Sequence, residues 1–536
     1  MIAKPTAIKD TGGKSSGCAW KAIELTSGDL LHCHGIVTEG EAIYSDRATE
    51  VSSGHISRES DEGPNSKGAT SRTQDSMSDK RQKNQLVLAF TEEGRSEAPK
   101  ASQEGTESHT AKCATERPAS HEQLMEEVCE RENCWQAYKR VKANKGSPGI
   151  DGMKVGDLSG YLKQHWLSIR EQLLSGTYQP QPVRRVEIPK PDGGVRKLGI
   201  PTVLDRLIQQ AVMQVLQRRW DPTFSEHSHG FRPKRSAHQA VAKAQQYIAA
   251  GHRWVVDLDL EKFFDRVNHD KLMAAIARRV TDKRVLRLIG AFLKVGVLEN
   301  GLVSPAEEGT PQGGPLSPLL SNIVLDELDR ELERRKHHFV RYADDCNIYV
   351  RSQRAGQRVM TNVTRFLTRR LKLKVNEAKS AVARPVERKF LGFSFSKNKE
   401  PKRRIAPKAL LRCKQKIREL TRRTRGISLE QMLKELTAYL RGWKSYFGFC
   451  QTPSLLKTLD QWIRHRLRSM IWKQWRRGTA RYAKLRQLGI AKDLAAQTAG
   501  SPHGPWRLAH SPALQCALPI AYFDSLGLPR LFDGLA

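Results

Sequence analysis

The stretch that most constrains this chain is Phe339-Val-Arg-Tyr-Ala-Asp-Asp-Cys-Asn-Ile-Tyr-Val350, two short runs of β-forming residues around an adjacent pair of acids. Val340, Tyr342, Ile348 and Val350 favour strands, and Ala-Asp-Asp between the runs suits a tight connection. The pattern predicts a β-hairpin with Asp344 and Asp345 at its tip. Such a tip offers a divalent cation two hard oxygen ligands. Asp also favours turns on its own account, so taken alone an ordinary turn is the better explanation. The remaining segments decide between the two.

A second acid-bearing strand is predicted in His252-Arg-Trp-Val-Val-Asp-Leu-Asp-Leu-Glu-Lys-Phe-Phe-Asp265. Alternation puts Val256, Leu258 and Leu260 on one face and Asp257 and Asp259 on the other. Unpaired carboxylates in a core strand are costly to bury, so this strand asks for a cation. Alternation does not separate Asp257 from Asp259. Gly309-Thr-Pro-Gln-Gly-Gly-Pro-Leu-Ser-Pro-Leu-Leu-Ser-Asn322 is a loop running into a helix over residues 323–332. Its glycines let backbone approach a base pair or phosphate, with Gln312 as a donor, although Gly and Pro also mark plain loops.

The formal net charge of +34 requires a polyanionic partner, nucleic acid before an anionic membrane surface. The charge is uneven: residues 1–118 hold 15 Lys plus Arg against 18 acids, and residues 401–485 hold 23 against 4. In residues 455–477 the apolar positions Leu455, Leu459, Trp462, Ile463, Leu467, Met470 and Ile471 form a helical stripe. Lys457, Arg464, Arg466, Arg468, Lys473, Arg476 and Arg477 crowd the remainder. A solvated helix face normally mixes signs, so this one favours RNA or DNA. Arg232, Lys234 and Arg235 in the loop His229-Gly-Phe-Arg-Pro-Lys-Arg235 suit phosphate contacts. Residues 184–197 predict a basic hairpin turning at Asp192-Gly193, whose Lys190, Arg196 and Lys197 either close over a triphosphate or are simply solvated.

Residues 1–118, rich in Ser, Thr, Gly, Glu and Lys, are expected to be a disordered extension, and Met77 is an alternative start. His32-Cys33-His34 lacks a second ligand pair for a metal. Nine scattered cysteines without a Cys-x-x-Cys pair argue against a disulfide framework or zinc knuckle. No apolar run approaches the ~20 residues that span a bilayer, and the N-terminus lacks a signal-peptide core, so no membrane association and a cytoplasmic location are expected.

Tyr342-Ala-Asp-Asp345, Asp259 with Phe263-Phe264, Pro311-Gln-Gly313 and Phe390-Leu-Gly-Phe393 resemble, in order, the motifs of reverse transcriptases, specifically group II intron-encoded reverse transcriptase/maturases of the bacterial, endonuclease-lacking type. Asn144-Lys-Gly-Ser-Pro-Gly-Ile-Asp-Gly152 is similar to the family's extra N-terminal finger block, and Gly442-Trp-Lys-Ser-Tyr-Phe447 to its thumb, domain X. The resemblance implies an α+β right-hand polymerase: fingers over 119–250, palm over 251–396, a helical thumb/maturase domain X over 400–485 and a C-terminal DNA-binding region over 486–536. It implies that Asp259, Asp344 and Asp345 hold two Mg²⁺ ions, that the Phe264 ring excludes a 2′-hydroxyl, that Lys190 and Arg196 contact the triphosphate and that Gln312 contacts the nucleotide or its base pair. The choice of Asp259 over Asp257 rests on its spacing to Phe264.

The implied partners are group II intron RNA, an RNA template, a DNA primer or target and deoxynucleoside triphosphates. The implied location is bacterial cytoplasm, with nucleoid association when acting on DNA. A homodimer is compatible with all of this. Two alternatives stay open: an RNA-binding splicing cofactor with an idle polymerase, and a domesticated retron, diversity-generating or CRISPR-linked reverse transcriptase.

Overall fold

The computed structural model describes residues 123–189, 195–299, 302–304, 308–310, 312–422 and 424–532. The expected disordered extension, Met77, the His32-Cys33-His34 cluster, the Asp192-Gly193 turn, Lys190 and Pro311 lie outside the described residues.

Helices α1 (Leu124–Cys129), α2 (Arg131–Ala143) and α3 (Leu158–Ser175) open the fold. The near-helical spacing of Leu124, Val128, Trp135, Tyr138 and Val141 predicts one helix from His121, where α1 and α2 stand. Glu130 divides them, its extended backbone (ψ 139°) ending the first and capping the second. α3 stops at Gly176, whose φ of 71° is the left-handed cap that an L side chain resists. Strands β1 (Val183–Pro189) and β2 (Val195–Ile200) form the expected basic hairpin, paired from Arg184↔Ile200 to Pro189↔Val195. α4 (Val203–Trp220) is capped by the Thr202 hydroxyl accepting from the Asp205 N–H, and α5 (Ala237–Ala249) by a Ser236/Gln239 capping box.

The central sheet has the order β6-β7-β3-β8 and is antiparallel throughout. Its strands are β3 (Trp254–Leu258), β6 (His338–Tyr342), β7 (Asp345–Val350) and β8 (Ala381–Ala383). Between β3 and β6 run α6 (His269–Ala277), α7 (Lys283–Lys294), the small strands β4 (Val297–Glu299) and β5 (Leu302–Ser304), and α8 (Ser317–Arg334). α9 (Gln353–Phe366) precedes β8 and crosses the sheet. One sheet face, with Val256, Leu258, Phe339, Cys346 and Ile348, joins the large core shared with α1–α4 and α6–α9. The other, with Val255, Val340 and Tyr349, packs under α5. Burial on both faces explains why the hairpin strands are nearly continuous in β-formers.

Phe390-Leu-Gly-Phe-Ser-Phe395, whose apolar residues predict a short strand pair on which a substrate strand could rest, opens with a tight turn with positive φ at Leu391 and Gly392. The turn leads into β9 (Phe393–Phe395), which pairs with β10 (Arg403–Ile405). Phe393 is fully buried beneath Tyr446, Phe447 and Phe449, where a helical domain packs against the strand pair.

That domain comprises α10 (Pro407–Leu420), α11 (Leu429–Phe447), α12 (Pro453–Gln474) and α13 (Gly478–Gln487), followed by short helices as far as Ser525. Ile417, Leu440, Ile463, Leu467 and Trp472 share one core with Leu514, Leu518 and Phe523. The boundary expected near residue 485 is therefore not a packing boundary, because the C-terminal residues complete the helical domain's core. Among the described residues no helix is long and apolar enough to cross a membrane.

Candidate active site and nucleic-acid interface

The β6–β7 hairpin is tighter than expected. Tyr342 pairs directly with Asp345, leaving Ala343 and Asp344 as a two-residue turn, so Asp345 is the first residue of β7 rather than part of the loop. Ala343 has φ 55°, a conformation L residues adopt rarely and one that clusters at functional sites. Gly230 lies against this turn: a Cβ there would sit 2.2 Å from the Ala343 nitrogen, so only glycine fits.

Strand register separates the two acids that alternation left equivalent. β3 pairs with β7 through Asp257↔Asn347 and Leu258↔Cys346. One residue beyond the last pair, Leu258↔Cys346, come Asp259 on one chain segment and Asp345 on the other, both in register with the face that carries Asp257 and Asn347. Asp257 sits one pair further in and is held by Arg388, whose Nε donates to Oδ2 at 2.7 Å. Burial raises the Asp257 pKa, with Arg388 opposing. Asp259 lies just past the end of β3, its N–H donating to the Ser380 hydroxyl (3.0 Å) and its carbonyl accepting from the Asn376 N–H (2.8 Å).

Asp259 just past β3, Asp344 in the turn and Asp345 at the start of β7 lie at the same end of the sheet. Among the described residues no three His, Cys, Asp or Glu side chains are already gathered closely enough to hold an ion, these three included. In chemistry the set fits a hard divalent cation: three carboxylates at one sheet end, with the neighbouring acid Asp257 already paired to Arg388.

Phe264 sits in a short 3₁₀ turn, Phe263–Asp265, 9% exposed, with its carbonyl accepting from the Thr310 N–H at 2.6 Å. Gln312 Nε2 donates to Asp265 Oδ1 at 3.2 Å, and the Gln312 carbonyl accepts from the Gly199 N–H of β2 at 2.9 Å. These bonds bring Phe264, the Gly/Pro-rich loop and the basic hairpin together. Arg196 lies on β2 opposite Ile188; its side chain is outside the described residues. Lys197, also expected at the triphosphate, is exposed beside Glu187.

The expected RNA contacts divide into two groups. Arg232 is structural: its side chain is 5% exposed, pairs with Asp221 and donates to the Ser225 and Ser228 carbonyls. Arg464 is likewise structural, tied to Asp460 and Asp524. Arg468 donates to the Leu518 carbonyl, and burial lowers its pKa. The helical period assigned these arginines to a polar face, but the C-terminal helices cover that face. Lys234, Lys473 and Arg476 are exposed, and Arg235 and Arg466 are half-buried.

The sequence argument overlooked Lys414 and Arg418 on α10, which with Arg466 surround the Trp462 ring at 5.9, 5.6 and 5.4 Å from its centroid. No acid among the described residues pairs with Lys414 or Arg418. Their i, i+4 spacing on α10 was the available signal. Also overlooked was Arg341 within the hairpin motif, which is completely buried against Asp329. Sequence alone does not distinguish a buried arginine from an exposed one.

Comparison with known proteins gives two domain matches: "Reverse transcriptase (RNA-dependent DNA polymerase)" over residues 188–395 and "Group II intron, maturase-specific domain" over residues 410–489. Protein YkfC of Escherichia coli (strain K12) is 40% identical over 228 residues, covering 41% of this chain and 60% of that protein. The group II intron-encoded protein LtrA of Lactococcus lactis subsp. cremoris is 41% identical over 206 residues, 38% of this chain and 34% of LtrA. The putative COX1/OXI3 intron 1 protein of Saccharomyces cerevisiae is 32% identical over 198 residues, 37% of this chain and 24% of that protein. The matched region spans 60% or less of each of these relatives.

Proposed function

We propose that this chain, which carries a reverse transcriptase domain and a group II intron maturase-specific domain and is homologous to intron-encoded proteins, is an RNA-directed DNA polymerase that also binds a group II intron RNA and assists its splicing. The observation that supports the reading is the β3–β7 ladder, which ends at Leu258↔Cys346, one residue short of Asp259 and Asp345, with Asp344 in the adjoining turn. These three carboxylates would hold two Mg²⁺ ions, which when bound activate a primer 3′-hydroxyl and neutralise charge on the leaving pyrophosphate.

The chain's own residues orient the reactants. The Phe264 ring lies under the incoming sugar and leaves no room for a 2′-hydroxyl. Gln312, tethered to Asp265 and to β2, contacts the new base pair, and Lys190 and Arg196 close on the triphosphate. On the helical domain, Lys414, Arg418 and Arg466 around Trp462, with Lys473 and Arg476, take the RNA backbone, and Lys234 and Arg235 do so beside the palm. Copying of the intron after insertion into DNA, by target-primed reverse transcription, follows from joining the two activities. A splicing cofactor with an idle polymerase has no physical use for three carboxylates at one sheet end.

Extension of a DNA primer on an RNA template with Mg²⁺ tests this directly. Deoxynucleotides are expected to be used and ribonucleotides rejected, and Phe264→Val is expected to admit ribonucleotides. Failure of the unmodified chain to extend on any RNA template refutes the polymerase; unchanged sugar preference in Phe264→Val removes the ring from the gate.

A further inference from the structure

Arg341 is 0% exposed and every N–H of its guanidinium has an acceptor. Nε donates to Asp329 Oδ1 at 2.7 Å and Nη2 to Asp329 Oδ2 at 2.6 Å. Nη2 also reaches Ser228 Oγ at 2.8 Å, and Nη1 divides between Asn322 Oδ1 and the Ala343 carbonyl, both at 2.9 Å. That carbonyl belongs to the peptide joining Ala343 to Asp344. Asn322 also donates to the Gly230 carbonyl at 2.9 Å, and Gly230 is the residue pressed on the Ala343 nitrogen. One planar group therefore connects α8, the 227–230 segment and the strained turn that bears the acids.

Stability alone does not account for this arrangement. A buried ion pair can often be replaced by apolar residues of similar volume without loss of stability, so stability by itself is weak reason for an Arg341–Asp329 pair. An apolar pair cannot hydrogen-bond the Ala343 carbonyl. A lysine ammonium can donate to a carbonyl but lacks the planar fork that reaches Asp329, Asn322 and the turn together.

We propose that Arg341, oriented by Asp329 and Asn322, is a positioning residue that holds the Ala343–Asp344 peptide and thereby fixes where Asp344 and Asp345 present their carboxylates. The proposal rests on the reading of those acids as cation ligands.

The test uses the full chain with Arg341→Lys and the double variant Arg341→Met/Asp329→Leu, which keeps an apolar core if the lysine variant does not fold. Two readouts are taken on each: Mn²⁺ affinity by electron paramagnetic resonance, and primer extension resolved into kcat and KM. Mn²⁺ affinity and kcat are each expected to fall by roughly 10–100-fold, as when a group that orients metal ligands is lost. KM for the deoxynucleotide is expected to stay within about twofold, since nucleotide contacts are untouched. A folded variant with wild-type Mn²⁺ affinity and kcat overturns the proposal, even if its melting temperature has dropped. If Mn²⁺ affinity falls as expected but not even the unmodified chain extends a primer, the polymerase reading fails while the positioning role stands.

Discussion

The β6–β7 hairpin and helix α12 both carry charged residues that in the sequence predict contacts with a ligand, and the fold treats them differently. In the hairpin Asp344 stands in the turn and Asp345 opens β7, both at the end of the sheet where the sequence pattern puts them. On α12, Arg464 and Arg468 turn inward to Asp460, Asp524 and the Leu518 carbonyl. A strand has two faces, so period and register together fix what each residue meets. A helix offers a full circumference, and any sector can be covered by a segment far along the chain. A one-signed helix face therefore shows that anions will be found, without showing whether they are phosphates or the protein's own carboxylates.

The largest effect that would break this contrast lies in the palm. Asp259→Asn should lower primer extension by on the order of a thousandfold or more without changing the melting temperature, because a cation ligand is lost. Asp257→Asn should leave extension in place and reduce thermal stability, because Arg388 loses its charged partner. The opposite outcome would mean that the register argument chose the wrong acid.

On α12 the expected effect of Arg464→Ala is a stability loss of about 3 kcal/mol, seen in urea unfolding, since a buried pair is broken. RNA affinity of the folded protein should not change. Weakened RNA binding with unchanged stability would return Arg464 to the interface. The converse holds for Lys414→Ala/Arg418→Ala: stability should be kept, and the slope of log affinity against log salt should shrink by roughly 1.4, about 0.7 per lost phosphate contact.

The smallest effect concerns one histidine from each region. His229 beside the hairpin and His465 on α12 are buried, and burial together with neighbouring arginines pushes each down to about 4 from 6.5. Each is neutral in the fold and takes up a proton more readily when unfolded. Their contribution to stability is therefore full above pH 6.5 and is lost as the pH falls from 6.5 towards 4. Urea midpoints measured across that window should fall less steeply for His229→Gln or His465→Gln; unchanged slopes would show that neither imidazole is held neutral.

Much of the palm was legible because both of its signals are local: alternating apolar residues gave β3, β6 and β7, and the acid pair gave the turn. Choosing between Asp257 and Asp259 required a partner strand and Arg388, 131 residues away, which no local pattern contains. In Phe390-Leu-Gly-Phe-Ser-Phe395 the strand was legible in Phe393–Phe395, but the turn before it and the contact of Phe393 with α11 depend on packing. Arg464 and Arg468 of α12 were misassigned because, besides the local Asp460, their partners Asp524 and the Leu518 carbonyl lie far along the chain. The cations around Trp462 come from two helices, and only packing brings them together.

The central claim is that the hairpin tip is catalytic while RNA is held elsewhere. It is tested most directly by single-nucleotide primer extension and intron RNA binding measured on one preparation of Asp344→Asn. The account predicts no extension and wild-type RNA affinity; extension at the wild-type rate would contradict it.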